Sequence, residues 1–100
     1  MALQIPIDRE AVAGFCRRHH IRRLALFGSV LRDDFRPDSD VDVLVEFERE
    51  HIPGLIGLGA IEDELGRIFG RRAEIVTAKA LSPYLRTRVL ADAEAIYAEG

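Results

Sequence analysis

The strongest constraint on this chain is a break between two apolar runs. Leu24-Ala25-Leu26-Phe27 stops at Gly28-Ser29, ten residues follow, and Asp40-Val41-Asp42 opens a second run, Val43-Leu44-Val45. Two apolar runs of strand length, bounded by polar and glycine residues, describe two strands of a sheet. Side chains alternate between faces along a strand, so Asp40 and Asp42 share one face and Val41, Val43 and Val45 the other. Two carboxylates at the start of a strand repel each other and lose solvation when covered, so folding gains little from them. A loop ending in an acidic cap would explain the turn and leave both aspartates unexplained. A hard cation such as Mg²⁺ supplies the missing counterpart, because it takes oxygen ligands and keeps its other positions for water or phosphate oxygens. Gly28-Ser29, at a strand end before a short helix, offers backbone N–H groups and a hydroxyl to a phosphate. The stretch therefore reads as a metal–triphosphate site.

Size and charge narrow the classes further. One hundred residues suit one domain over 1–100, near the lower part of the usual range yet long enough to bury a core. No apolar stretch approaches a membrane span and the N-terminus carries no basic-then-apolar leader, so a cytoplasmic protein is expected. Cys16 is the only cysteine, which excludes an internal disulfide and a cysteine-based zinc motif. A net charge of −3 argues against a nucleic-acid grip, which needs a basic face. A nucleotide neutralised by its own metal stays compatible with that charge.

Along the chain, Asp8 is an N-cap, with Ile7 and Val12 set as a hydrophobic staple. Val12, Phe15, Cys16 and His19 predict a helix over 9–19, with Cys16 as a small core residue. Arg17, Arg18, His19 and His20 suit the negative end of that helix, and adjacent histidines diverge too far to share a metal. Strands are predicted over 22–27, 41–47 and 73–77, with a short helix over 30–33 and a turn through Arg36-Pro37-Asp38. Charged residues 46–51 read as loop. Leu58, Ile61, Leu65, Ile68 and Phe69 define a helix face; residues 60–69 are assigned to it and 52–59 left open, because Gly54, Gly57 and Gly59 disfavour its beginning by about 1 kcal/mol each. Gly70 terminates it. Ser82-Pro83 starts a third helix whose inner face is Leu85, Val89 and Leu90. Ala95-Ile96-Tyr97 fits either a last helical turn or a final strand.

Gly28-Ser29-Val30-Leu31-Arg32 through Arg36-Pro37-Asp38-Ser39-Asp40-Val41-Asp42 resembles the signature of nucleotidyltransferases with the DNA polymerase β palm. It is most similar to the minimal nucleotidyltransferases paired with HEPN-domain toxins in prokaryotic two-gene modules. The resemblance covers nearly the whole chain. It implies an α/β fold, a small mixed sheet backed by helices, with 95–97 as a strand. It also implies transfer of AMP from ATP to a tyrosine of the HEPN toxin, which silences the toxin and makes the chain an enzymatic antitoxin.

Nucleotidyl transfer also needs the attacking hydroxyl deprotonated, and a second metal about 3.5–4 Å from the first can stabilise both reacting oxygens. Glu74 is the candidate third carboxylate, as base or second-metal ligand beside Asp40 and Asp42, because it interrupts a strand pattern before Ile75-Val76-Thr77. The resembling family usually carries aspartate there, and the extra methylene leaves the carboxylate less fixed. An exposed glutamate at a strand edge is the plainer alternative. Arg32 and Arg36 are candidates to clamp phosphate oxygens as pyrophosphate departs, and Lys79 is a further one. A template-directed polymerase or an aminoglycoside nucleotidyltransferase would need additional domains. The rival from another class is an antitoxin that masks the toxin without catalysis, and Leu81, Tyr84 and Leu85 are candidates for the partner surface.

Overall fold

A computed structural model describes residues 5–31 and 39–98, with Ser29 described through its backbone. Asp8 caps the first helix as its chemistry dictates, its Oδ1 accepting from the Ala11 N–H at 3.0 Å. This helix, α1 (Arg9–Arg18), turns through His19 and His20 into strand β1 (Ile21–Phe27). The 3₁₀ turn Gly28–Leu31 follows, and strand β2 (Val41–Phe47) returns. Helix α2 (Leu55–Phe69) ends on Gly70, whose φ of +73° gives the left-handed stop that glycine adopts without strain. Strand β3 (Ala73–Thr77), the 3₁₀ turn Ala78–Ala80, helix α3 (Pro83–Asp92) and strand β4 (Glu94–Ala98) complete the order.

The sheet runs β3-β2-β1-β4, with β1 antiparallel to both β2 and β4, and β2 parallel to β3. A parallel pair requires a crossover, and α2 provides it. Alternation explains which side is covered. Leu24, Leu26, Val43 and Val45 are buried on the face packed by α1 and α2, together with Val12, Phe15 and Leu65. Burying one such aliphatic side chain contributes about 1.5–3 kcal/mol, so this face dominates stability. The opposite face carries the register pairs Phe27↔Asp42, Ala25↔Leu44 and Arg23↔Glu46. Cys16 is fully buried in the core, and desolvation pushes its thiol up to about 12.

Four details differ from the sequence reading. The second strand keeps its predicted bounds through Phe47, so of the charged residues 46–51 read as loop only those from Glu48 onward leave the strand. The short helix starts at Gly28 rather than at Val30. Helix α2 begins at Leu55, although Leu55 and Ile56 are almost fully exposed. Ile61 and Leu65 anchor this helix, and extending an existing helix costs far less than nucleating one. The largest correction concerns α3, which has no buried residue: Leu85 and Leu90 are about half exposed, at 49% and 47%. Its apolar stripe lies over shallow depressions rather than against a packed layer. One, of about 340 Å³, is lined by Leu85 and Val89 with Phe27, Gly28 and Leu31. A larger groove of about 410 Å³ puts Leu90 and Lys79 opposite Ala25 and Leu44.

Candidate active site

Three backbone elements bring Gly28, Asp42 and Glu74 together. Phe27 pairs with Asp42 across the antiparallel β1–β2 ladder, so Gly28 leaves the sheet beside that aspartate. Asp42 in turn pairs with Glu74 across the parallel β2–β3 ladder. Neighbouring strands lie about 4.8 Å apart, and register partners on adjacent strands project to the same face. The two carboxylates therefore stand side by side on the sheet face away from α1 and α2. Asp42 is half-buried and Glu74 exposed. Asp40 is half-buried and immediately precedes β2, where the Val41 N–H donates to the Arg72 carbonyl at 2.9 Å.

Gly28 has φ +79°, and a Cβ placed on it would lie 2.3 Å from Oδ2 of Asp42. Glycine is needed twice over, for the left-handed backbone and for the approach of the carboxylate. The turn that follows presents the backbone of Ser29 and Val30 directly beyond that contact. Arg32 and Arg36 lie outside the described residues, as does the side chain of Ser29.

The oxygen donors of Asp40, Asp42 and Glu74 suit a hard cation such as Mg²⁺, and no softer ligand is among them. A divalent cation bound there would offset the like charge of neighbouring carboxylates. Neither depression beneath α3 is lined by these three residues. A second group of donors, His20, Glu48 and His51, lies within 4.8 Å of one another at the far end of β2.

Two supporting side chains escaped the sequence reading. Glu62, on α2, accepts the Ile75 N–H at 2.6 Å and so holds β3 beside Glu74. Arg86 donates from Nε to the Ala78 carbonyl at 2.7 Å and from its terminal nitrogen to the Leu81 carbonyl at 3.1 Å. It fixes the turn that carries Lys79 and the start of α3. Both act on backbone from another element, and neither spacing nor hydrophobic pattern marks such residues.

By its fold this chain is a minimal nucleotidyltransferase, the class that the Gly28-to-Asp42 stretch resembles. The model of the nucleotidyltransferase domain family matches residues 9–96, and the chain belongs to that family. It is 36% identical over 73 residues to protein adenylyltransferase MntA of Thermococcus cleftensis, covering 73% of this chain and 72% of that one. It is 32% identical over 76 residues to a Methanocaldococcus jannaschii chain assigned as a protein adenylyltransferase, covering 76% and 80%. Among solved structures, one described as a minimal nucleotidyltransferase superposes with TM-score 0.70 and 41% identity over 85% of each chain. A toxin–antitoxin crystal structure with AMP-PNP shares the fold with TM-score 0.75 at 16% identity, over 92% of this chain and 74% of that one. Among the described residues, no helix is long and apolar enough to cross a membrane.

Proposed function

We propose that this chain is a cytoplasmic, Mg²⁺-dependent protein adenylyltransferase that moves AMP from ATP to a tyrosine hydroxyl of a HEPN-domain toxin. By doing so it acts as the antitoxin of that toxin. The observation that carries the reading is the register that sets Asp42 between Gly28 and Glu74. The relatives named protein adenylyltransferases support the acceptor class.

The reaction follows from the groups present. The acceptor oxygen bonds to the α-phosphorus of ATP, the bond to the bridging oxygen breaks, and pyrophosphate leaves. Backbone N–H groups of the turn after Gly28, with the Ser29 hydroxyl, orient the phosphates. Arg32 and Arg36 offset charge on the departing pyrophosphate. Glu74 takes the acceptor proton or serves as a second-metal ligand, with Asp40 and Asp42 as the shared cation ligands. A bound Mg²⁺ pair supplies charge stabilisation for the attacking and leaving oxygens.

The decisive experiment mixes purified chain, Mg²⁺, ATP and a HEPN-domain toxin as acceptor, then weighs the products intact. The expected result is one or more AMP masses on the HEPN protein, mapped to tyrosine and lost with Asp42→Asn. A toxin that is neutralised with no mass gain would replace catalysis with masking. Glu74, in place of the usual aspartate and exposed, is the feature that favours this second reading.

A further inference from the structure

At the end of the sheet remote from Asp42, three donors of a different chemistry converge. His20 ends the turn from α1 into β1, and Glu48 and His51 bracket the turn that leaves β2. The Glu48 N–H donates to the His20 carbonyl at 2.8 Å, and the His51 N–H to the Glu48 carbonyl at 2.9 Å. The three residues are thus tied through their backbones before any side chain is considered. The imidazoles of His20 and His51 stack with centroids 3.6 Å apart and planes 10° from parallel. Nδ1 of His20 lies 3.5 Å from Oε2 of Glu48. One donor atom from each residue falls within 4.8 Å of the other two.

We propose that His20, Glu48 and His51 form a binding site for a divalent transition cation of the zinc class. Two imidazole nitrogens and one carboxylate are a three-ligand set that zinc accepts, with a water completing four-coordination. Donors around a tetrahedral zinc sit about 3.3 Å apart, given bond lengths of about 2.0–2.1 Å. Closing from the observed spacing takes at most about 1.5 Å between any pair, together with a rotation of the stacked rings that turns both in-plane lone pairs onto one ion. The exposed rings of His20 and His51 leave room for it. Imidazole excludes Mg²⁺ as the preferred ion, which separates this site from the all-carboxylate one. Six residue steps along the chain from Asp42 to Glu48 put about 20 Å between the two.

An exposed histidine–glutamate pair is a sufficient account of each contact singly, but not of the convergence of all three donors. His20 has φ +57°, the one non-glycine residue with positive φ among the described residues. Histidine is among the residues enriched in that region, and the conformation fixes where its ring stands. A histidine held there presents its ring to two further donors from a segment about thirty residues away. His19, by contrast, turns to Glu64 on α2, 3.0 Å from its Nε2, where Arg18 also binds. Neighbouring histidines do diverge, and the second one finds its metal-ligating companions only after folding. A bound ion would clamp the α1–β1 turn to the segment that leads into α2.

The test is calorimetry with zinc chloride on the full chain carrying Asp40→Asn and Asp42→Asn, which silences the carboxylate end. One zinc per chain and a raised Tm are expected. His20→Asn, which tolerates the left-handed backbone, and His51→Gln should each weaken binding at least tenfold. His19→Gln should leave it unchanged. No zinc uptake, or uptake of equal affinity in the His20→Asn, Glu48→Gln and His51→Gln variants, would overturn the site.

Discussion

Gly28 and the carboxylate of Asp42 occupy adjoining space that admits no side chain at position 28, since a Cβ there would come within 2.3 Å of Oδ2. The contact couples a backbone conformation to the position of a catalytic candidate. Gly28→Ala should therefore act on both. The left-handed backbone alone costs about 1–2 kcal/mol, and the displaced Asp42 adds a loss of Mg-ATP affinity. Denaturant melts and calorimetry on the same variant check the two effects. Unchanged nucleotide affinity in a folded variant would uncouple the turn from the site.

Asp40→Asn and Asp42→Asn should abolish transfer while leaving the fold intact. A neutral amide cannot replace an anionic ligand on a hard cation, whereas removal of like charge relieves repulsion in the metal-free protein. Far-ultraviolet dichroism and intact mass of the acceptor are the readouts. Near-normal transfer in both variants would refute a two-aspartate mechanism.

Glu74→Gln separates binding from chemistry. With Asp40 and Asp42 as the proposed cation ligands, Mg-ATP affinity should change little, yet transfer should fall by a factor of about 10²–10⁴ if Glu74 is the base. Complex formation with the acceptor should persist. Transfer at the wild-type rate would reduce Glu74 to an exposed edge residue.

Acid should loosen the contact between the first two helices. The Arg18 guanidinium, followed by His19, holds the Glu64 carboxyl below its usual range. Its contribution is complete above the ordinary carboxylate value near 4.5 and is lost as pH falls through the lower native value. The pair is solvent-exposed, so the loss is about 0.2–1 kcal/mol. Stability of wild type and Glu64→Gln should differ by that amount at pH 7 and converge in acid, below the lowered native value.

How much of this was legible in the sequence depends on the range of the interaction involved. Strands β2 and β3 match their predicted bounds, because alternation about Val43 and Ile75 is a local property of each segment. Helix α1 was marked by Asp8 and its apolar spacing. The pairing of Asp42 with Glu74 was expected only as a shared site; register fixes it, and register is set by packing on the far face. Helix α3 shows the opposite limit. Leu85, Val89 and Leu90 define a stripe, but spacing does not say what covers it, and here little does. The meeting of His20 with His51 was equally hidden, since it depends on the β1–β2 pairing that brings both turns to one end.

The two outer strands carry a consequence for how this molecule meets others. On β3, the Glu62 carboxylate occupies the outward Ile75 N–H. On β4, Ile96 is the extra residue of a bulge between the Leu24↔Tyr97 and Ala25↔Ala95 pairs, and Arg9 donates to its carbonyl at 3.3 Å. An anion guards one border and a cation the other, each taking the group that an incoming strand would seek. A strand pairing at either of these two groups would have to displace a helix-borne charge. Both guards reach down from the layer that forms the core, so these two edge contacts last only as long as that layer stays docked.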